Sequence, residues 1–254
     1  MQLWAIAANT YRENIRDRVL YSIVFFAVLV LCASLVMEEI TIGDQDKVVR
    51  SVALGAIRAF GSVMSIFLGI GLVFREIEKK TVYTIVSKPI ARWVFIVGKY
   101  LGLMGVIVTM IALMAGLYIL LMLTQQGPPA ASVYASWWML TVELGLLTAW
   151  AILFSSYSAP ITAASFSIAV FVIGHLADDI WRFGLQAESE QVRQFAGVLY
   201  WFLPNLSVFN VHDLAVHHLP IPVEQLIGAT GYGLGYTVVV LTLAVWVFSG
   251  RDFK

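Results

Sequence analysis

"YLGLMGVIVTMIALMAGLYILLML", residues 100–123, runs without a single Asp, Glu, Lys or Arg. As an α-helix rising about 1.5 Å per residue, it is long enough to cross about 30 Å of hydrocarbon. The rest of the chain has the same character: of 254 residues, 60% are hydrophobic and 13% charged, and the mean hydropathy is +0.84. Soluble domains hold only about 45–50% apolar residues. The composition therefore predicts an all-α, polytopic membrane protein, with residues 1–254 as a single transmembrane domain. A formal net charge of +0 argues against general affinity for nucleic acid. The lone Cys32 rules out an intrachain disulfide and reads as apolar filler.

Six apolar runs are long enough to span: Leu20–Val36, Val52–Phe74, Tyr100–Leu123, Val133–Ser156, Pro160–Ala177 and Ile227–Phe248. The first starts late and follows several charges, unlike a cleaved signal peptide, and is expected to remain in the mature protein. With the spans as dividers, one side collects Arg12, Arg16, Arg18, Arg75, Lys79, Lys80, Lys88, Arg92, Lys99, Arg251 and Lys254. The other side collects Lys47, Arg50, Arg182 and Arg193. Basic residues favour the cytoplasmic side, so both termini are expected there. "FAGVLYWFLPNLSVFNV" (195–211) could pass for a further span, but Pro204 and Asn205 interrupt it. Its apolar residues recur at helical spacing, which predicts a helix on or dipping into the outer leaflet, within an extracytoplasmic region 178–226. At the N-terminus, Trp4, Ala7, Tyr11, Ile15 and Val19 fall three or four apart among polar residues, which predicts an amphipathic interfacial helix over 1–19. The apolar run from Arg92 to Leu123 is too long for the bilayer, so its start, to about Lys99, is expected to project into the cytoplasm.

One segment is polar and patterned. "REIEKKTVYTIVSKPIAR" (75–92) sets Ile77, Val82, Ile85 and Val86 among Glu76, Glu78, Lys79, Lys80 and Thr84. This suits a short helix with one apolar and one charged face, stopped at Ser87-Lys88-Pro89 because proline disfavours helix in the residue before it. Such a helix is a docking surface for a soluble partner; a plain surface loop is the alternative reading.

That run, followed by "GKYLG" (98–102), resembles the cytoplasmic loop of ABC-2-type permeases. More narrowly, it resembles that of permeases for multicopper-enzyme maturation, which include the membrane subunit of the nitrous oxide reductase maturation transporter. The likeness extends to "ANTYRENIRDRVLY" (8–21), "PNLSVFN" (204–210) and "FSGRDF" (248–253). It implies a coupling helix between spans 2 and 3 that seats in a groove of a separate ATPase. Arg75, Glu76, Glu78, Lys79, Lys80, Thr81, Ser87, Lys88, Pro89 and Arg92 are the ATPase-coupling residues it implies. It also implies two ATPase copies carrying ATP and Mg, a second permease subunit, in the simplest case an identical copy, and a location in a bacterial cytoplasmic membrane. Consistently, no G-x-x-x-x-G-K-[ST] phosphate-binding loop occurs in this sequence. The chain is expected to be a non-catalytic permease with no cofactor of its own, and export is the expected direction. An extracytoplasmic protein partner, and mechanical work on it, remain open.

Two charges fall inside predicted spans. Arg58 lies about six residues and Glu143 about ten residues from the outer ends, a difference of about 6 Å in depth that long side chains can bridge. An isolated intramembrane charge costs several kcal/mol, so the two are expected to pair or to line a polar path. "HLADD" (175–179) and "VHDLAVHH" (211–218) invite a metal reading of His175, Asp178, His212, Asp213, His217 and His218. The spacing is poor for ligands and the soft Cys or Met that copper prefers is missing, so interfacial or capping roles are expected and metal is not. Trp137, Trp138, Trp181, Tyr200 and Trp201 sit near outer boundaries, as a headgroup-level belt does. "LGIGL" (68–72) and "GYGLGY" (231–236) offer small residues for close helix packing. Two competing functions remain: an ion-coupled transporter with Glu143 as its proton site, and an intramembrane enzyme using Glu143, His175 and Asp178. Neither would need an ATPase.

Overall fold

A computed structural model describes residues 2–16, 45–78, 91–125 and 127–250, with scattered positions between 21 and 33. The described residues are all α. They form α1 (Gln2–Ile15), α2 (Gln45–Glu78), α3 (Arg92–Gln125), α4 (Ala131–Tyr157), α5 (Pro160–His175), α6 (Ala177–Gln186), α7 (Glu190–Phe202), a 3-10 turn (Ser207–Phe209), α8 (His212–Val216) and α9 (Val223–Ser249). Within α2, α3, α4 and α9 the stretches Lys47–Gly71, Arg92–Leu123, Ala131–Tyr157 and Val223–Ser249 are long and apolar enough to cross a membrane. α5 and α6 together reach that length but bend by 62° at Leu176, so the described residues hold four such helices, or five if the bent pair is one span. The predicted first span, Leu20–Val36, falls largely outside the described residues. The 13-residue α7 is too short to cross about 30 Å at about 1.5 Å per residue.

α4 is the hub of the bundle. Its spanning window is 89% buried, against 28% for that of α9, and it packs against α2, α3, α5 and α9. Lipid tails are as apolar as leucine, so helices associate in a bilayer chiefly through close packing and interhelical hydrogen bonds. The α2–α4 seam shows both. Gly61, Ser65 and Gly69 recur every four residues on one face of α2. A Cβ on Gly69 would lie 2.4 Å from Ala151 Cβ, and one on Gly61 would lie 2.9 Å from Leu144 Cδ1. Between them Ser65 Oγ donates to the Leu144 carbonyl at 3.1 Å, and further along Ser155 Oγ donates to the Ile70 carbonyl at 2.9 Å. Of the glycines in "GYGLGY", Gly233 packs against Val142 and Phe209, while Gly231 and Gly235 have nothing within 4 Å of an added Cβ.

α1 falls within the helix expected over 1–19. It runs alongside the first half of α3, where Gly98, Gly102 and Gly105 form a groove for it. A Cβ at Gly102 would meet the Ala7 carbonyl oxygen and Thr10 Cβ, each at 2.6 Å. Tyr11 Oη and Thr109 Oγ1 close the far end of the seam at 3.1 Å. Ala7, Thr10 and Asn14 are buried by this packing, whereas Trp4, assigned to the apolar face by spacing alone, is 74% exposed. Of the apolar positions assigned by spacing, Ala7, Tyr11 and Ile15 do pack into the bundle, and Ile6 joins them against Gly98. At the same end of the bundle, Arg92 Nη1 donates to the carbonyls of Phe248, at 3.3 Å, and Ser249. The last carbonyls of α9, which have no partner within their own helix, are thereby satisfied by a cation suited to a helix C-terminus. Phe95 stacks on Phe248 beneath this contact, with ring centroids 5.8 Å apart.

Overpacking a helix seam costs about 1–3 kcal/mol. Gly102→Val is therefore expected to lower the unfolding free energy in mixed micelles by about that amount. Gly228→Ala, where nothing lies within 4 Å of an added Cβ, is expected to leave stability unchanged or slightly raised. Equal effects at the two positions would refute the seam.

Candidate functional site

Glu143 sits in the middle of α4 and is fully buried. Three elements converge on it. α2 supplies Arg58, whose Nη2 lies 3.0 Å from Glu143 Oε2. α5 supplies its last residue, His175, whose Nε2 lies 2.8 Å from the same Arg58 nitrogen and 3.1 Å from Glu143 Oε1. The segment after the 3-10 turn supplies Asn210, whose Oδ1 accepts from Arg58 Nη1. The side chains of Arg58 and His175 remain 20% and 21% exposed while that of Glu143 is 1% exposed, so the cluster is open on one side only. A cavity of about 30 Å³ adjoins it, lined among others by Arg58, Trp137, Glu143 and His212, with room for one or two waters.

The tautomer of the neutral His175 ring follows from its neighbours. Nδ1 lies 2.9 Å from the Phe171 carbonyl, which can only accept, so Nδ1 carries the hydrogen. In the neutral ring Nε2 is then the acceptor and takes a hydrogen bond from Arg58. With the ring neutral, Glu143 Oε1 faces that same nitrogen at 3.1 Å with no hydrogen between them and has no hydrogen-bond donor among the protein groups.

His175 thus belongs with Arg58 and Glu143, not with the neighbouring carboxylates. Asp178 is taken up elsewhere: Asn205 Nδ2 donates to its Oδ1 at 2.7 Å and Ser207 Oγ donates to its Oδ2. Leu206 N donates to the Gly174 carbonyl at 2.9 Å. Together these bonds fasten "PNLS" over the α5–α6 bend. His212 Nε2 is 3.2 Å from Ser51 Oγ. No three His, Cys, Asp or Glu side chains among the described residues are placed to hold a metal ion.

The tryptophans divide. Trp138 is half exposed and donates to Thr230 Oγ1 at 3.0 Å, Trp181 stacks on Tyr200 at 5.3 Å, and Trp201 is 80% exposed. Trp137 is instead buried, edge-on to Tyr118 and Tyr134. It is a core residue of α4, which corrects its assignment to an interfacial belt.

Of the segment 75–92, Arg75, Glu76 and Glu78 lie on the last turn of α2, and Arg92 is engaged with the end of α9. Lys79, Lys80, Thr81, Ser87, Lys88 and Pro89 fall outside the described residues. Sequence reasoning missed Asn210, and it set His175 with Glu143 only in the enzyme reading, in company with Asp178 rather than Arg58. The only available signal was that both polar groups sit beside apolar helix ends, which gives no hint of the partner.

The fold and this buried charge cluster define a multi-spanning, all-α membrane protein with ionisable groups inside its bundle. In a comparison with protein families, residues 4–253 match the ABC-2 family transporter protein. The chain belongs to that family of transporter membrane proteins, whose members are typically non-catalytic transmembrane subunits working with an ATP-binding cassette ATPase. A search among curated proteins found no match.

Removing one partner of a buried ion pair leaves an uncompensated charge and costs about 3–5 kcal/mol. Glu143→Leu and Arg58→Met are each expected to destabilise the protein by about that amount. The double variant should lose clearly less than the sum, as measured by a double-mutant cycle of unfolding in mixed micelles. Additive losses would mean the two side chains do not interact.

His212 offers a separate pH signature. Burial, and to a smaller degree the Arg58 charge, hold its pKa below the ordinary 6.5, against an opposing pull from Asp213. The unfolded chain then binds this proton first as pH falls, so the stability His212 provides is full above 6.5 and declines below it. His212→Gln is expected to flatten the acid side of the stability profile. An unchanged slope would show that His212 is not the group responsible.

Proposed function

We propose that this chain is the membrane-spanning permease subunit of an ATP-driven transporter in a bacterial cytoplasmic membrane. It pairs with a second permease subunit and is driven by two copies of a separate ATPase that docks on residues 75–92. The family match over 4–253 carries this reading, together with a sequence that has no phosphate-binding loop of its own. The patterned segment supports the docking site. It begins on the last turn of α2, so a load applied there acts directly on a helix that also carries Arg58. Both termini then lie in the cytoplasm, and the charge cluster, with residues 178–226, lies towards the outer face. Substrate moves outward along the interface between paired bundles. The narrower kinship with maturation permeases rests on "SKPIAR", "GKYLG", "PNLSVFN" and "FSGRDF". Arg58 and Glu143 hold α2 against α4 at the outer end of the path.

Gentle purification of the tagged chain from its native host is expected to bring down a soluble subunit that carries a phosphate-binding loop and hydrolyses ATP. Paired charge reversal, Glu76→Lys with Glu78→Lys, is expected to release that subunit while the bundle keeps its melting temperature. A chain that purifies alone and moves solute down an ion gradient without ATP would sink this reading.

A further inference from the structure

The hydrogen-bond pattern around His175 cannot be completed in a single state. Its Nε2 lies within reach of a donor, Arg58 Nη2 at 2.8 Å, and of an acceptor, Glu143 Oε1 at 3.1 Å. One nitrogen cannot serve both. Unprotonated, it accepts from Arg58 and leaves Glu143 Oε1 buried without a donor. Protonated, it donates to Glu143 Oε1 and turns an N–H against the guanidinium. A buried carboxylate oxygen without a donor is costly to maintain, and the ring nitrogen that faces it at 3.1 Å is a protein group that becomes a donor on taking up a hydrogen.

We propose that Arg58, Glu143 and His175 form a binding site for a single proton, held between His175 Nε2 and Glu143 Oε1. The proton arrives from water through the partly exposed faces of Arg58 and His175. Hydronium gives up one proton, the Nε2 lone pair becomes an N–H bond, and water leaves; no other reactant is involved. Occupancy changes what holds the bundle together at this end. The empty site ties α2 to α5 through the Arg58–His175 hydrogen bond. The loaded site ties α5 to α4 through His175 and Glu143, while Arg58 keeps Glu143 Oε2 and Asn210 Oδ1. The proton thus selects which helix holds α5, directly before the 62° bend into α6.

Neighbouring ionisable groups do not supply this proton's partner. On α6, Asp178 spends its oxygens on Asn205 and Ser207, and Asp179 is on the same short helix. On α8, His212 turns its Nε2 to Ser51, with Asp213 beside it in sequence. Charge on the cluster therefore comes chiefly from Arg58, which opposes the proton, and Glu143, which attracts it.

Those two oppose each other, so their removal should act in opposite directions, which a merely structural role does not require. The test uses the full chain, with histidine labelled in ¹⁵N, in phosphatidylcholine nanodiscs, followed by NMR from about pH 8 to pH 5, the range in which imidazole charges. The His175 signal is assigned by its loss in His175→Gln. It is expected to pass from the Nδ1–H neutral ring to imidazolium as the sample is acidified. Glu143→Gln is expected to lower the ratio of imidazolium to neutral ring at a given pH by roughly tenfold or more, as the loss of a close opposite charge does, and Arg58→Gln to raise it. If Glu143→Gln does not fold, Glu143→Asp, which keeps the charge but withdraws it from the ring, should lower the ratio less. The proposal is overturned if His175 stays neutral throughout. It is equally overturned if the two substitutions shift it in the same direction, or if the infrared carbonyl band of protonated Glu143 persists across the whole range. The readout needs no ATPase, so its failure would leave the permease reading standing, and loss of the ATPase partner would leave the proton site standing.

Discussion

Everything at one end of this bundle answers to the carboxylate of Glu143. An ionised group in the middle of a buried helix costs several kcal/mol unless a counter-charge and hydrogen bonds meet it. Among the described spans α4 is the most enclosed, and Glu143 is buried within it. The counter-charge must come to it. α2 brings Arg58, α5 ends so that His175 arrives at the same point, and the chain after α7 returns to place Asn210 against the guanidinium. A single buried charge thus fixes the relative height of three helices and one loop. Apolar packing in lipid fixes height poorly, because sliding one leucine past another changes little.

The remaining alignment comes from small residues. Gly61, Ser65 and Gly69 let α2 lie against α4, and Gly98, Gly102 and Gly105 let α1 lie against α3. Dispersion contacts and interhelical hydrogen bonds are the attraction available between helices in a bilayer, and both need backbones close together. Serine and threonine use the same closeness, with Ser65 and Ser155 reaching carbonyls across the seam instead of only their own helix. The two seams share no helix, so each can be strengthened or weakened without the other.

α2 joins the buried charge cluster to the start of the polar segment. It runs unbroken from Gln45 to Glu78 and carries Arg58 in the cluster and Arg75, Glu76 and Glu78 on its last turn. These are about 26 Å apart along the axis at about 1.5 Å per residue. Its seam with α4 runs through the interval between them. At the Arg92 end, the guanidinium clamped onto the last carbonyls of α9 ties the start of α3 to the final helix. The polar segment therefore starts on the last turn of α2 and ends at Arg92, the first residue of α3.

Composition and apolar run length determined the class of this protein, because the bilayer leaves a spanning chain little choice but helix and sets the length of each crossing. The four long helices, the short α7 and the interrupted Pro204–Asn205 stretch were all legible in that way, and so was the strain of placing Arg58 and Glu143 in apolar surroundings. Beyond the Arg58–Glu143 pair, the tertiary structure alone decided who meets whom. It turned His175 away from Asp178 and towards Glu143, brought Asn210 to Arg58, buried Trp137, exposed Trp4, and gave Arg92 to the end of α9. Each of these depends on the rotation of one helix about its axis relative to another. In an apolar medium that rotation is set by where glycine allows close approach and where a buried charge must be met, and hydrophobic periodicity records neither.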